Sequence, residues 1–191
     1  MKNRIAIFAS GTGTNAERIM QVFRNHEQIE VSLLIASKDG IGALDKAKTA
    51  KVPAYVCSPK TDFEENGRVA GLLKEYGITH IVLGGFLAHI PDWMLVAYPN
   101  KIVNIHPSLL PKHGGKGMYG HHVHQAVLDS GEKESGITIH LVNELYDSGE
   151  RLFQAKCPVE NNDTADTLAT RVHQLEYQYF PDVIEKWILG D

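Results

Sequence analysis

Cysteine is scarce in this chain: Cys57 and Cys157 are the only two among 191 residues. They stand in no metal-ligand or redox spacing, and free thiols in a reducing compartment fit them better than a disulfide. Positive charge is also in short supply, with 19 Lys and Arg against 23 Asp and Glu, a formal net charge of -4 and no basic block. That argues against a general nucleic-acid binder, although a local loop can still hold a small anion. Long apolar runs are missing too. The opening "MKNRIAIFAS" is too short for a secretory core, and no stretch is long enough to cross a bilayer. A cytoplasmic protein without membrane attachment is expected. No internal repeat, low-complexity tract or linker divides the chain, and its 43% hydrophobic residues suit one sizeable core.

What is present is an alternation of short β-type runs with helical patterns. Runs at Arg4–Ala9, Ile29–Ser37, Val52–Cys57, His80–Gly85 and Lys101–His106 read as strands. Helical patterns lie between them: one begins at Thr14 or Asn15 and carries Ile19, Met20, Val22 and Phe23, one covers Ala43–Ala50, and one covers Phe63–Gly77. Strands this apolar, separated by helices, imply parallel strands covered on both faces. The second half changes character. "GITIHLVNEL" and "RLFQAKCPV" flank a turn at Asp147-Ser148-Gly149, as in an antiparallel pair added to the sheet. A last helix is expected from about Thr164 to Leu189, with Asp163 or Thr164 as N-cap. The expected fold is therefore a single α/β domain, Rossmann-like, with helices on both faces of a mostly parallel sheet.

Between the first strand and first helix lies "SGTGTNAE". Glycine allows a sharp turn, and free N–H groups at a helix N-terminus attract anions. Gly11, Thr12, Gly13, Thr14 and Asn15 are thus a candidate phosphate cradle; the plainer alternative is a tight turn with a cap. Gly11-x-Gly13-x-x-Ala16 also fits a loose dinucleotide pattern, but the second strand ends in Ser37-Lys38 rather than in an acidic ribose contact. No Gly-Lys-Ser/Thr follows, so the loop is not a Walker motif.

The fifth strand ends in "NIHPSLLP". Asn104 and His106 are two residues apart, so both point to one face, at the strand end where open α/β sheets bind ligands. An amide donor beside a histidine suits a developing oxyanion and a travelling proton. Asp147 is a candidate carboxylate partner for the histidine, with ordinary turn chemistry as the alternative. No nucleophile elbow accompanies Ser108. Two bound substrates reacting directly with each other is the implied chemistry.

The string Asn104–Pro111, the "SGTGTN" loop and "LYDSG" together resemble the folate-dependent formyltransferases, specifically those that act on glycinamide ribonucleotide. The likeness runs from Ile5 to the final helix. It implies one formyltransferase domain over residues 1–191, the N-terminal half holding the ribonucleotide and the C-terminal half the folate. The implied reaction moves a formyl group from 10-formyltetrahydrofolate, a co-substrate, to the amine of glycinamide ribonucleotide, in purine biosynthesis. Asn104 would donate to the oxyanion, His106 would stabilise it and shuttle protons, and Asp147 would pair with His106. Gly13, Thr14 and Asn15 inherit the phosphate, and Glu176 matches a glutamate that holds the ribonucleotide. Phe86, Leu87, Ala88, His89 and Ile90, with Asn104 and the loop Asn143, Glu144, Leu145, Tyr146 and Asp147, would line the folate site. His124 and His140 match histidines near that site, and Leu110-Pro111 matches a cis peptide. The resemblance implies small-molecule partners only, no metal, and a monomer or homodimer.

Four places depart from the family's usual pattern: Ala88 for a frequent arginine, Asn66 for a basic residue, Glu150-Arg151 for a small residue and proline, and His173 for a common glutamine. "GHHVH" at Gly120–His124 invites a metal but lacks a matching ligand set. Rival readings are a formyltetrahydrofolate hydrolase, expected to carry a regulatory domain before the first strand, and a methionyl-tRNA formyltransferase, expected to carry an RNA-contacting domain and a basic surface. A nicotinamide-dependent oxidoreductase and an inactive ligand-binding module lie further off.

Overall fold

The computed structural model describes residues 2–190. Its sheet has seven strands: β1 (Asn3–Ala9), β2 (Ile29–Ala36), β3 (Ala54–Val56), β4 (His80–Leu83), β5 (Ile102–His106), β6 (Glu134–Leu141) and β7 (Arg151–Pro158). The spatial order is β3-β2-β1-β4-β5-β6-β7. The first five are parallel, and β6 runs antiparallel to both neighbours. Six helices surround them: α1 (Thr14–Val22), α2 (Gly42–Ala50), α3 (Arg68–Glu75), α4 (Asp92–Ala97), α5 (His121–Asp129) and α6 (Ala165–Leu189). This is the mostly parallel α/β sheet with an antiparallel C-terminal pair that the strand pattern implies. No described helix is long and apolar enough to cross a membrane.

Strand β1 shows why the apolar runs are continuous rather than alternating. Ile5, Ile7 and Ala9 face a core completed by α1, α2, α5 and α6. Ala6 and Phe8 face the opposite core, closed by α3 and α4. A strand buried on both faces has no polar side to show. The strand order reverses direction on either side of β1, so the chain ends of β1 and β4 diverge into neighbouring loops at a switch point. Those loops are tied by the Ser10 N–H donating to the Gly85 carbonyl at 3.0 Å.

Three local features differ from the sequence reading, each for a definable reason. The helix expected from Phe63 begins only at Arg68. The Val69 N–H turns back to the Asp62 carbonyl, and a Cβ on Gly67 would meet that oxygen at 2.7 Å. Strand β3 is shorter than Val52–Cys57, because the Val52 N–H closes the end of α2 on Ala47 and Pro53 has no N–H to give. Helix α4 has no counterpart in the expected elements; at six residues it is too short for a periodic pattern.

Helix α6 spans 25 residues despite Pro181 within it. Proline there leaves the carbonyl of Tyr177 without its helical donor. The Arg18 guanidinium of α1 supplies one at 3.2 Å, so a potential break becomes an anchor between helices. At the start, Thr164 and Thr167 cap each other reciprocally, and Arg171 holds Asp163 through two bonds of 2.7 and 3.0 Å. Thr164→Ala should therefore lower folding stability by about 1 kcal/mol, read as a lower urea midpoint with an unchanged slope.

Candidate active site

The site begins with the turn after β1. Gly13 takes a left-handed φ of 74° as the N-cap of α1, and a Cβ on it would lie 2.5 Å from the Cα of Ala43. Only glycine fits there, wedged against α2. The turn exposes the first N–H groups of α1 to a cavity of about 640 Å³. Gly11, Thr12, Gly13, Thr14 and Asn15 all line it. One N–H of the Asn15 side chain donates to Glu176 Oε2 at 2.8 Å, which leaves its second N–H, with the backbone N–H groups and the two threonine hydroxyls, as the donors of this turn.

Asn104 and His106 stand at the tip of β5, as their spacing requires, and both line the same cavity. The register of β6 sets His140 opposite Asn104 and Thr138 opposite His106. His140 Nδ1 lies 2.8 Å from the Leu141 carbonyl and must donate to it. When unprotonated, Nε2 accepts from Asn104 Nδ2 at 3.1 Å, and the amide keeps its second N–H for a ligand. When protonated, Nε2 faces Asp147 Oδ1 at 3.6 Å as a donor. Thr138 supports the loop beyond. Its hydroxyl donates to the Ser108 carbonyl at 2.7 Å and accepts from the Leu110 N–H at 2.9 Å. Arg151 and Gln154 bind the Leu110 carbonyl at 3.1 and 3.0 Å, just before the cis Leu110-Pro111 bond.

Asp147 is more than a turn residue. It has a left-handed φ of 54°, and its Oδ2 accepts from the Gly115 N–H at 2.8 Å. The same oxygen lies 3.4 Å from His106 Nδ1, and Oδ1 lies 3.6 Å from His140 Nε2. Burial would raise the Asp147 pKa, but His140, His106 and the Gly115 N–H together hold it below the usual carboxylate range. His106 donates from Nε2 to the His113 carbonyl at 2.8 Å, so both ring nitrogens face acceptors. Burial pushes its pKa down, against the pull of Asp147 and of that carbonyl, and the net shift is downward. His106 is therefore a neutral ring in a setting shaped to accept a proton.

Of the residues expected at the folate end, Phe86, Leu87, Ala88, His89, Ile90, Asn143, Leu145, Tyr146 and Asp147 line the cavity, whereas Glu144 does not. Its contribution is a backbone carbonyl that accepts from His89 Nε2 at 3.1 Å. Leu87, Leu145 and Tyr146 are exposed apolar surface on that wall. Asn66, one of the four departures, is not on the cavity wall. The segment Gly115–His121 closes another side. The sequence offered only its run of glycines as a signal, and Gly115, Gly117 and Gly120 do adopt left-handed φ values.

Ser108 and the two cysteines are not placed as nucleophiles. Ser108 is buried and donates to the Lys112 carbonyl, and burial raises both thiol pKa values. Among the described residues no group of three or more His, Cys, Asp or Glu is arranged to hold a metal.

Known proteins resemble this chain over most of its length. Residues 3–184 match the family described as formyl transferase. The chain is 38% identical over 96% of its length to the chloroplastic phosphoribosylglycinamide formyltransferase of Arabidopsis thaliana, and spans 64% of that protein. It is 33% identical over 98% of its length to the phosphoribosylglycinamide formyltransferase of Bacillus subtilis, covering 95% of it. The crystal structure of phosphoribosylglycinamide formyltransferase from Bacillus halodurans superposes with a TM-score of 0.87 at 36% identity, covering 96% of this chain and 94% of that one.

One further cavity residue yields a stability test. His124 on α5 is 2% exposed, its Nδ1 has no partner, and burial lowers its pKa to about 4. Unfolded histidine titrates near 6.5. Between these values the unfolded chain binds the extra proton, so stability falls as pH drops from about 6.5 towards 4. His80, also lowered to about 4, adds to the same slope. Urea midpoints from pH 7.5 to 4.5 should show this decline, and His124→Gln should make it shallower.

Proposed function

The chain belongs to the formyl transferase family, and on that footing we propose that it moves a formyl group from 10-formyltetrahydrofolate to the amine of glycinamide ribonucleotide. The observation that carries this reading is the convergence of Asn104, His106, His140 and Asp147 on one wall of a cavity with an anion-binding turn and an apolar wall. That arrangement supports direct reaction between two bound substrates. In this reading the N-terminal half holds the ribonucleotide phosphate on the turn after β1, and the C-terminal half holds the folate ring system.

The steps follow from the donors and acceptors present. The substrate amine attacks the formyl carbon, and the carbonyl electron pair moves to oxygen. The free N–H of Asn104 donates to that oxyanion, its orientation fixed by His140. His106 Nε2 bonds to the His113 carbonyl, so the 112–114 segment must shift before that nitrogen meets substrate; the ring hydrogen then sits on Nδ1, which faces Asp147 Oδ2 at 3.4 Å, and Nε2 holds the lone pair. The attacking nitrogen becomes cationic and loses its proton to that lone pair, and Asp147 stabilises the resulting imidazolium. Collapse of the intermediate breaks the bond to the folate nitrogen, which takes the proton back from His106 Nε2.

The direct test is an absorbance assay of a 10-formyl folate donor with and without glycinamide ribonucleotide. Loss of the formyl group only when the ribonucleotide is present supports the transferase; loss without it points to a hydrolase. In that assay Asn104→Ala should reduce kcat by about 10²–10³, and an unchanged rate would remove its role as oxyanion donor.

The acid limb of kcat/KM provides a second test. Activity should fall as His106 protonates, with a midpoint below 6.5. Asp147 raises the His106 pKa, so Asp147→Asn should move this midpoint further down while lowering the plateau. A midpoint that moves upward would rule out His106 as the proton acceptor.

A further inference from the structure

Glu176 is 5% exposed, yet its carboxylate is satisfied on one side only. Asn15 Nδ2 and His173 Nδ1 both bond to the same oxygen, Oε2, at 2.8 and 2.9 Å. Glu176, Asn15 and His173 all line the main cavity. His173 lies one helical turn before Glu176 on α6, with its side chain 54% exposed. It also lines a shallower groove with Arg18, Gln174 and Tyr177. The imidazole therefore stands at the rim between the cavity and the surface.

A carboxylate can only accept, so His173 Nδ1 must carry the hydrogen. In the neutral ring Nε2 is then a lone pair, an acceptor that would repel a phosphate oxygen. Protonation converts Nε2 to an N–H donor and adds a positive charge. The cavity has few other sources of one: Lys116 is its only lysine and it has no arginine. Arg18 reaches the outer groove, with its Nε on the Tyr177 carbonyl.

We propose that His173 couples proton uptake to binding of the phosphorylated acceptor, its imidazolium serving as the titratable cation of the ribonucleotide end. This rests on the transferase reading for the identity of the acceptor, though the chemistry requires only a sugar phosphate. The groups facing His173 are Glu176 and Asp166 on α6, His121 and His124 on α5, and Arg18 on α1. Glu176 is the one in contact, and its hydrogen bond raises the His173 pKa above the ordinary value against the effect of burial. His124 is held neutral by burial, so it does not compete as the cation. Glutamine at this position could bond to Glu176 but could not titrate. The histidine makes acceptor affinity pH-dependent in this chain.

The experiment compares wild type, His173→Gln and His173→Lys from pH 7 to 9, where a sugar phosphate is already dianionic. Calorimetry with ribose 5-phosphate, in buffers of different ionisation enthalpy, reads binding and proton uptake without turnover. Wild type should take up protons on binding and lose affinity roughly threefold to tenfold as pH rises, a charge-assisted contact discounted for exposure. His173→Gln should bind weakly with little proton uptake, and His173→Lys should bind tightly across the range. In turnover assays the ribonucleotide KM should follow the same pattern, while the folate KM stays within about twofold. Wild-type affinity that is flat in pH, or proton uptake retained in His173→Gln, overturns the proposal. Proton-linked ribose 5-phosphate binding without formyl transfer would instead sink the transferase reading and leave this inference standing.

Discussion

The antiparallel seating of β6 against β5 is the constraint on which the site depends. A parallel strand in that position would have delivered a different set of side chains to the tip of β5. The observed register places His140 across from Asn104 and Thr138 across from His106. One partner orients the amide, and the other fixes the loop that follows the histidine. A slip of one residue would turn both Thr138 and His140 to the other face, leaving Asn104 free to rotate and the Ser108–Leu110 turn without its hydroxyl. The positions of Asn104 and of the loop after His106 are thus held by a neighbouring strand, through the side chains of His140 and Thr138.

The same strand also governs Asp147. β6 runs away from the tip of β5, so the chain beyond Leu141 has to fold back before Asp147 can approach His106. Its left-handed backbone and the Gly115 N–H on its carboxylate hold it there. The loop is braced from the other side by His89, whose ring packs edge-on to Tyr146 at 4.9 Å while its Nε2 donates to the Glu144 carbonyl. The positions of the acid and of the apolar wall are therefore linked: the segment that carries Leu145 and Tyr146 also carries Asp147.

This explains which parts of the site were legible in the sequence. The pairing of Asn104 with His106 depends on the two-residue repeat of a strand, and the turn after β1 depends on glycines between a strand and a helix. Both are local, and both stand where the patterns place them. Asp147 was only a candidate, because its contacts come from residues 41 and 32 positions earlier, His106 and Gly115. The late start of α3 was hidden for a similar reason. "FEENG" has helical composition, but Asp62 captures the Val69 N–H and the Ser58 N–H for a turn. The bond between Asn15 and Glu176 could not be foreseen either, since the two lie 161 residues apart. The resemblance to a family supplied roles for Asp147 and Glu176 that periodicity could not.

The histidines show how burial divides labour among identical side chains. His106 and His124 are almost fully enclosed, and loss of solvent holds both rings towards neutrality. A neutral ring can take a proton from an attacking amine; a charged one cannot. His173 sits at the rim, keeps water on one side and has a carboxylate on the other, and its pKa moves the opposite way. On the proposed reaction, a cavity that meets an anion and also receives a proton would use both kinds of histidine, which a single electrostatic environment could not provide. The gradient from the enclosed tip of β5 to the exposed face of α6 keeps the two kinds apart. With Lys116 as its only lysine and no arginine, the cavity can draw positive charge from the rim without placing a permanent cation beside His106, where it would push that histidine's pKa further down.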